Sequence, residues 1–224
     1  MLLDADCETV ADALVIAAGG DYCPDVARLC LGETAVIICA DGGIVACRAL
    51  GLRPDYLIGD LDSAPAPLVD WACDAGAEIL RYPAAKDQTD LELAMERAVA
   101  LGARRLAVTG ATGGRIDHTL ANIDVLMGFA HRLERIVAVE NRGELIFLAG
   151  ADRVATIRGR AGDTVSLIPG CGDARGVTTT GLHYRLLDED LRYGTARGVS
   201  NYMTEPIAYV KMGSGELLVV HMPS

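Results

Sequence analysis

From Leu14 to Val139 the chain alternates short apolar runs, rich in β-branched residues, with helical stretches. That alternation restricts the fold more than any other feature, because strands that follow one another through helices pair in parallel. The runs are Leu14–Ala17, Ala35–Ala40, Tyr56–Ile58, Glu78–Tyr82, Leu106–Thr109 and Ile136–Val139. Asp90–Leu101 and Thr119–Leu133 are the clearest helices between them. In the first of these, Leu91, Met95 and Ala98 share one face, which Ala94 and Leu101 widen. Thr89 with Glu92 three residues on has the form of a capping box, and Gly102 ends the helix.

The pattern changes near Asn141-Arg142-Gly143. Beyond it, Val154–Ile157, Thr164–Ile168, Gly176–Thr179, Ile207–Lys211 and Leu217–His221 read as short strands. Gly170-Cys171-Gly172-Asp173 and Gly213-Ser214-Gly215 read as turns between strands. The expectation is an α/β domain over residues 1–142, a three-layer mostly parallel sheet, followed by a small all-β sandwich or barrel over 143–224.

Composition narrows the function. Of 224 residues 51% are hydrophobic and 23% charged, ample for a packed core. No apolar run approaches the ~18 residues of a membrane span, and Met1-Leu2-Leu3-Asp4-Ala5-Asp6 lacks a basic leader, so a cytoplasmic protein is expected. Seven cysteines, an odd number with no C-x-x-C pair, read as free thiols rather than a zinc site or disulfide framework. The net charge of −11 argues against a nucleic-acid partner, whose phosphates need a basic footprint. The acidity is concentrated: residues 1–142 hold 12 Lys and Arg against 22 Asp and Glu. Such a unit attracts metal cations and cationic substrates.

Carboxylates and glycines gather where the apolar runs stop, which in an open α/β sheet is where ligands bind. Asp60-Leu61-Asp62 follows a strand and a glycine; in extended chain both carboxylates face one side and suit a hard cation. Asp90 opens a helix, where the dipole favours an acid and a third metal ligand is also conceivable. The Gly110–Gly114 loop is glycine-rich enough to expose amides as an anion nest, and Arg115 just beyond can clamp a phosphate. It matches neither the P-loop nor the dinucleotide fingerprint. Asp41-Gly42-Gly43 is a tight turn or a ligand contact, and His118 is a structural hydrogen-bonder or an acid/base.

Taken in order, these segments resemble the thiamine pyrophosphokinase family. The resemblance rests on A-D-G-G from Ala40, P-D-x-x-I-G-D-x-D-S from Pro54, K-D-x-T-D from Lys86, the T-G-(x)-G-G-R-x-D-H set ending at His118, and G-V-S-N from Gly198. It implies transfer of a pyrophosphoryl group from ATP to thiamine, giving thiamine diphosphate and AMP. On that likeness Asp60, Asp62 and Asp90 would hold Mg²⁺. Asp41, Gly42, Asp87, Thr89, Gly113, Gly114, Arg115, Asp117 and His118 would line the nucleotide and the transfer site. The family is usually homodimeric, and Ser200 and Asn201 would approach thiamine. Where some members carry a Trp after the Ser-Asn pair, this chain offers Tyr209.

Two other readings start from the same residues. Tyr56-Leu57-Ile58-Gly59-Asp60-Leu61-Asp62 also copies the opening of a haloacid-dehalogenase-like phosphatase, in which the first Asp is a nucleophile. A non-catalytic nucleotide- or thiamine-binding module would need the ligand contacts without a complete metal set.

Overall fold

The computed structural model describes residues 10–26 and 31–224; Cys7, Cys30 and the Met1–Asp6 opening lie outside them. Two units emerge, one reaching to Val125 and including Ala138–Asn141, the other formed by Leu126–Val137 and Arg142–Ser224.

The first unit holds strands β1 (Ala11–Ile16), β2 (Leu31–Ala40), β3 (Tyr56–Gly59), β4 (Glu78–Arg81) and β5 (Arg105–Thr109), with the part of β6 (Arg135–Glu140) from Ala138 on; all six are expected from the apolar runs and lie where those runs do. Between them come helices α1 (Gly43–Ala49), α2 (Ala66–Asp74), α3 (Asp90–Ala100) and α4 (Ile116–Ala130), the last belonging to this unit as far as Val125. The order across the sheet is β6-β5-β1-β2-β3-β4. Strand β1 pairs in parallel with β2 and β5, and β3 pairs in parallel with β2 and β4. From β1 the chain proceeds outward through β2, β3 and β4, then returns to the opposite side of β1 with β5. The carboxyl end of β1 is therefore a topological switch point, the place where open α/β sheets open a crevice.

Leu14, Val15, Ile16, Ile38, Leu57, Ile58, Ala107 and Val108 are all fully buried. Near-continuous apolar strands of this kind suit a parallel sheet covered by helices. Each large aliphatic side chain so buried contributes ~1.5–3 kcal/mol by leaving water. On α3 the expected face is buried at Leu91, Ala94, Met95 and Ala98, and Leu93 joins it. Leu101 does not: the helix stops at Ala100, Leu101 is the residue that caps it, and its side chain turns outward, 41% exposed. The Thr89 hydroxyl accepts the Glu92 amide at 3.2 Å as expected, whereas the Glu92 carboxylate is engaged by Gln88.

The second unit contains β7 (Gly143–Arg158), β8 (Thr164–Pro169), β9 (Ala174–Thr180), β10 (Glu189–Leu191), β11 (Asn201–Tyr202) and β12 (Ile207–Met222), joined antiparallel. Gly213-Ser214-Gly215, expected as a turn, lies inside β12 instead. The ladder with β7 runs from Ile207 opposite Arg158 to His221 opposite Glu144, and Gly215 faces Gly150. Paired glycines let both strands bend without breaking the ladder. At that bend β12 exchanges neighbours, with β9 alongside Tyr209–Ser214 and β8 alongside Leu217–Met222.

This unit has a buried polar centre. His221 Nδ1 lies 3.1 Å from Glu144 Oε1, and its Nε2 lies 3.2 Å from Asp163 Oδ2. Asp163 also accepts the amides of Arg160 and Ser224. Burial alone would favour neutral imidazole, but bonding and charge from Glu144 and then Asp163 outweigh it, so His221 titrates above its ordinary value. Burial pushes the Asp163 carboxyl up, and the Ser224 and Arg160 amides with His221 overcome it, bringing it to about 2.

Candidate active site

The strand ends of the parallel sheet enclose a cavity of about 550 Å³. Residues after β1 (Ala17 to Gly19), β2 (Asp41), β3 (Asp60, Asp62, Ser63) and β5 (Ala111, Gly114) line it, joined by Thr89 and Asp90 from the start of α3. Lys86, Arg115, His118 and Asn122 complete the polar wall.

Its acidic side is built by neighbouring strands. Ala40 pairs with Ile58, so β2 and β3 end at one level and their next acids are close in space. Carboxylate oxygens of Asp41, Asp60 and Asp62 all lie within 4.8 Å of one another. Asp41 is 5% exposed, takes φ +43, and leaves its Oδ1 buried without a hydrogen-bond partner. Burial raises its pKa; the Gly42 amide opposes this, and the nearby charges of Asp90 and Asp62 add to it. Asp60 and Asp62 converge by a different route from the extended segment expected. Leu61 adopts φ +65 and Asp60 Oδ1 accepts the Asp62 amide at 3.2 Å, closing a tight turn that brings both carboxylates round.

Asp90 stands next to this group but is held otherwise. Lys86 Nζ, four residues back, lies 3.0 Å from Asp90 Oδ1. A side-chain carbon on Gly59 would sit 3.0 Å from Asp41 Cβ and 3.1 Å from Asp90 Oδ1, so glycine there allows the two acids to approach. A buried carboxylate with an unpartnered oxygen, beside the half-buried Asp60 and the exposed Asp62, calls for a cation. All donors are hard oxygens, which fits Mg²⁺.

The opposite side is suited to anions. Arg115 is largely exposed and donates to Asp117 through Nε at 3.1 Å and Nη2 at 2.6 Å. That bonding, with a contribution from the His118 amide, keeps the Asp117 carboxyl at about 2. The expected nest is partly taken from within: Glu140, at the end of β6, accepts the amides of Gly110 and Ala111.

Of the sequence-predicted residues, Asp41, Asp60, Asp62, Thr89, Asp90, Gly114, Arg115 and His118 line this one cavity. Gly42, Asp87, Gly113 and Asp117 are their chain neighbours and are not among the lining residues. Ser200 and Asn201 belong to the second unit. There Ser200 is exposed at φ +63, and the buried Asn201 side chain bonds the Tyr184 amide, the Tyr184 carbonyl and the Tyr202 amide. It thereby supports a ring cluster in which His183 stacks on Tyr202 at 4.5 Å and meets Tyr184 edge-on. Sequence reasoning missed Lys86 as a site residue, although its i,i+4 spacing to Asp90 was a signal. It also missed Glu140, which carries the same strand-end acid signature as the others.

Known proteins place these features in a family. Residues 27–138 match the family model "Thiamin pyrophosphokinase, catalytic domain", and residues 154–217 match "Thiamin pyrophosphokinase, vitamin B1 binding domain". Thiamine pyrophosphokinase 1 of Oryza sativa subsp. japonica is 30% identical over 165 residues, 68% of this chain; the match spans 60% of that relative's length. Thiamine pyrophosphokinase of Bacillus subtilis is 27% identical over 208 residues, covering 92% of this chain and 96% of its own. Its crystal structure superposes with a TM-score of 0.81 at 25% identity, over 95% of this chain and 99% of that one. The thiamin pyrophosphokinase structure from Geobacillus thermodenitrificans gives 0.78 at 28% identity, over 95% and 98%.

Proposed function

This chain belongs to the thiamine pyrophosphokinase family, and we propose that it transfers a pyrophosphoryl group from ATP to the hydroxyethyl oxygen of thiamine. The Pα–O–Pβ linkage of ATP breaks, a new O–Pβ bond forms on thiamine, AMP leaves and the hydroxyl proton is released. The observation that carries this reading is the convergence of Asp41, Asp60 and Asp62, with a buried unpartnered oxygen, in a cavity whose far wall offers Arg115 and loop glycines.

Asp41, Asp60 and Asp62, with Asp90 alongside, would hold Mg²⁺, which when bound neutralises phosphate charge. Arg115 would bind phosphate oxygens, since its guanidinium is always charged and presents a fork of donors. Lys86 would keep Asp90 aimed at the cavity through their 3.0 Å ion pair. Transfer of this kind depends on positioning and charge neutralisation, with little covalent work for the protein. Residues 154–217 match a vitamin B1 binding model, and in that unit Asn201 would orient the His183, Tyr184 and Tyr202 rings toward thiamine. A cytoplasmic homodimer is part of the same reading, carried by the family likeness.

Incubating the protein with MgATP and thiamine tests it. Equal amounts of AMP and thiamine diphosphate are expected. ADP with thiamine monophosphate, or no product at all, would overturn it.

A further inference from the structure

Glu140 is 4% exposed, yet both of its carboxylate oxygens are engaged by backbone amides of another strand's end. Oε2 accepts the Gly110 amide at 2.9 Å and Oε1 accepts the Ala111 amide at 2.8 Å. These amides open the loop between β5 and α4, and Ala111 lines the cavity. The loop's carbonyl side is held just as closely. Gly19 donates to the Gly110 carbonyl at 2.7 Å, and Asn122 Nδ2 donates to the Ala111 carbonyl at 2.8 Å. Gly110 takes φ +71, and a side-chain carbon there would lie 2.5 Å from the Ala17 carbonyl oxygen. The backbone is therefore seated between the turn after β1 and one buried acid, and an anion of the chain itself fills the first part of the nest.

We propose that Glu140 is a positioning residue: by seating the amides of Gly110 and Ala111 it holds the β5–α4 loop in the shape that meets the ATP phosphates. This rests on the nucleotide assignment above. Removing a buried carboxylate from water is costly, and two charge-assisted amide bonds offset that cost only while the group is ionised. Burial raises its pKa, the Gly110 and Ala111 amides lower it, and the charge of Asp21 raises it again, with a resulting value of about 7. Asp21 and Cys23 are the titratable groups that face it from the segment after β1. Once protonated, one oxygen becomes a donor set against an amide that also donates, so the clamp loosens as pH falls through neutrality.

The variant Glu140→Gln keeps the shape and loses one acceptor. Its KM for ATP should rise about ten-fold, the scale of one hydrogen bond to a charged acceptor, with kcat and the KM for thiamine within two-fold of wild type. The wild-type gain in kcat/KM for ATP between pH 6 and 8 should exceed that of Glu140→Gln, whose amide does not titrate. Amide exchange at Gly110 and Ala111 in the ligand-free wild type, corrected for intrinsic rates, should be faster at pH 6 than at pH 8. An unchanged KM for ATP with a superimposable pH profile would overturn the proposal, as would equal losses for ATP and thiamine. Exchange that is insensitive to pH would overturn the clamp even in a protein without turnover, whereas absence of turnover by itself counts against the proposed reaction.

Discussion

Replacing His221 by leucine should destabilise the β-rich unit by about 3 kcal/mol, and the loss should depend on pH in a defined direction. The imidazole is fully buried between Glu144 and Asp163, whose side chains are 8% and 3% exposed. Removing one partner of a buried ion pair costs ~3–5 kcal/mol, because a charge is left without compensation. Asp163 keeps the Arg160 and Ser224 amides and the Ser224 hydroxyl, so most of its satisfaction survives. Glu144 bonds His221 alone among the described residues, which places the expected loss at the lower end of that range. For a chain of this size 1 kcal/mol shifts Tm by ~2–4 °C, so a fall of roughly 6–12 °C is expected at pH 6. The sign follows from the raised pKa of His221 in the folded protein. Its contribution is complete below the ordinary value of 6.5 and is lost as pH rises through the folded value. The gap between wild type and variant should therefore narrow from pH 6 to pH 9 in circular-dichroism melts. Adding Glu144→Gln to the variant should recover part of the loss, because it removes the stranded charge. Equal Tm values at pH 6, or a gap of the same size at both pH values, would refute this account.

Three further outcomes test the site. Gly59→Ala would place a carbon 3.0 Å from Asp41 Cβ and 3.1 Å from Asp90 Oδ1, costing ~1–3 kcal/mol as overpacking and lowering turnover at least ten-fold; unchanged melting and turnover would count against the acid cluster. Asp62→Ala and Asp90→Ala should each lower turnover by at least ~100-fold, the scale for losing a key electrostatic stabiliser, and steady-state kinetics near wild type for both would sink the metal assignment. Asn201→Ala removes the three bonds that hold Tyr184 and Tyr202, so the KM for thiamine should rise while ATP affinity changes little. Equal weakening of both ligands would reduce Asn201 to a support of the fold.

What could be read along the chain was local. Strand and helix periodicity, the Thr89 cap, the stop at Gly102 and the acids at strand ends each depend on residues a few positions apart. What went astray was decided by distant partners. Gly213 to Gly215 stay in a strand because β7 offers Gly150 opposite the bend. Leu101 is the local exception: it turns outward because the helix ends one residue earlier than its apolar face does.

Residue order supplies the ingredients: which carboxylates, glycines and cations stand at the ends of which elements. Their grouping comes from the fold. Asp41 joins Asp60 and Asp62 because β2 and β3 are parallel neighbours that end in register, while Asp90 is claimed by Lys86. Glu140 fills amides 30 and 29 residues away because β6 lies beside β5. Strand order and register bring such groups within hydrogen-bond reach, and no spacing within a single segment encodes either.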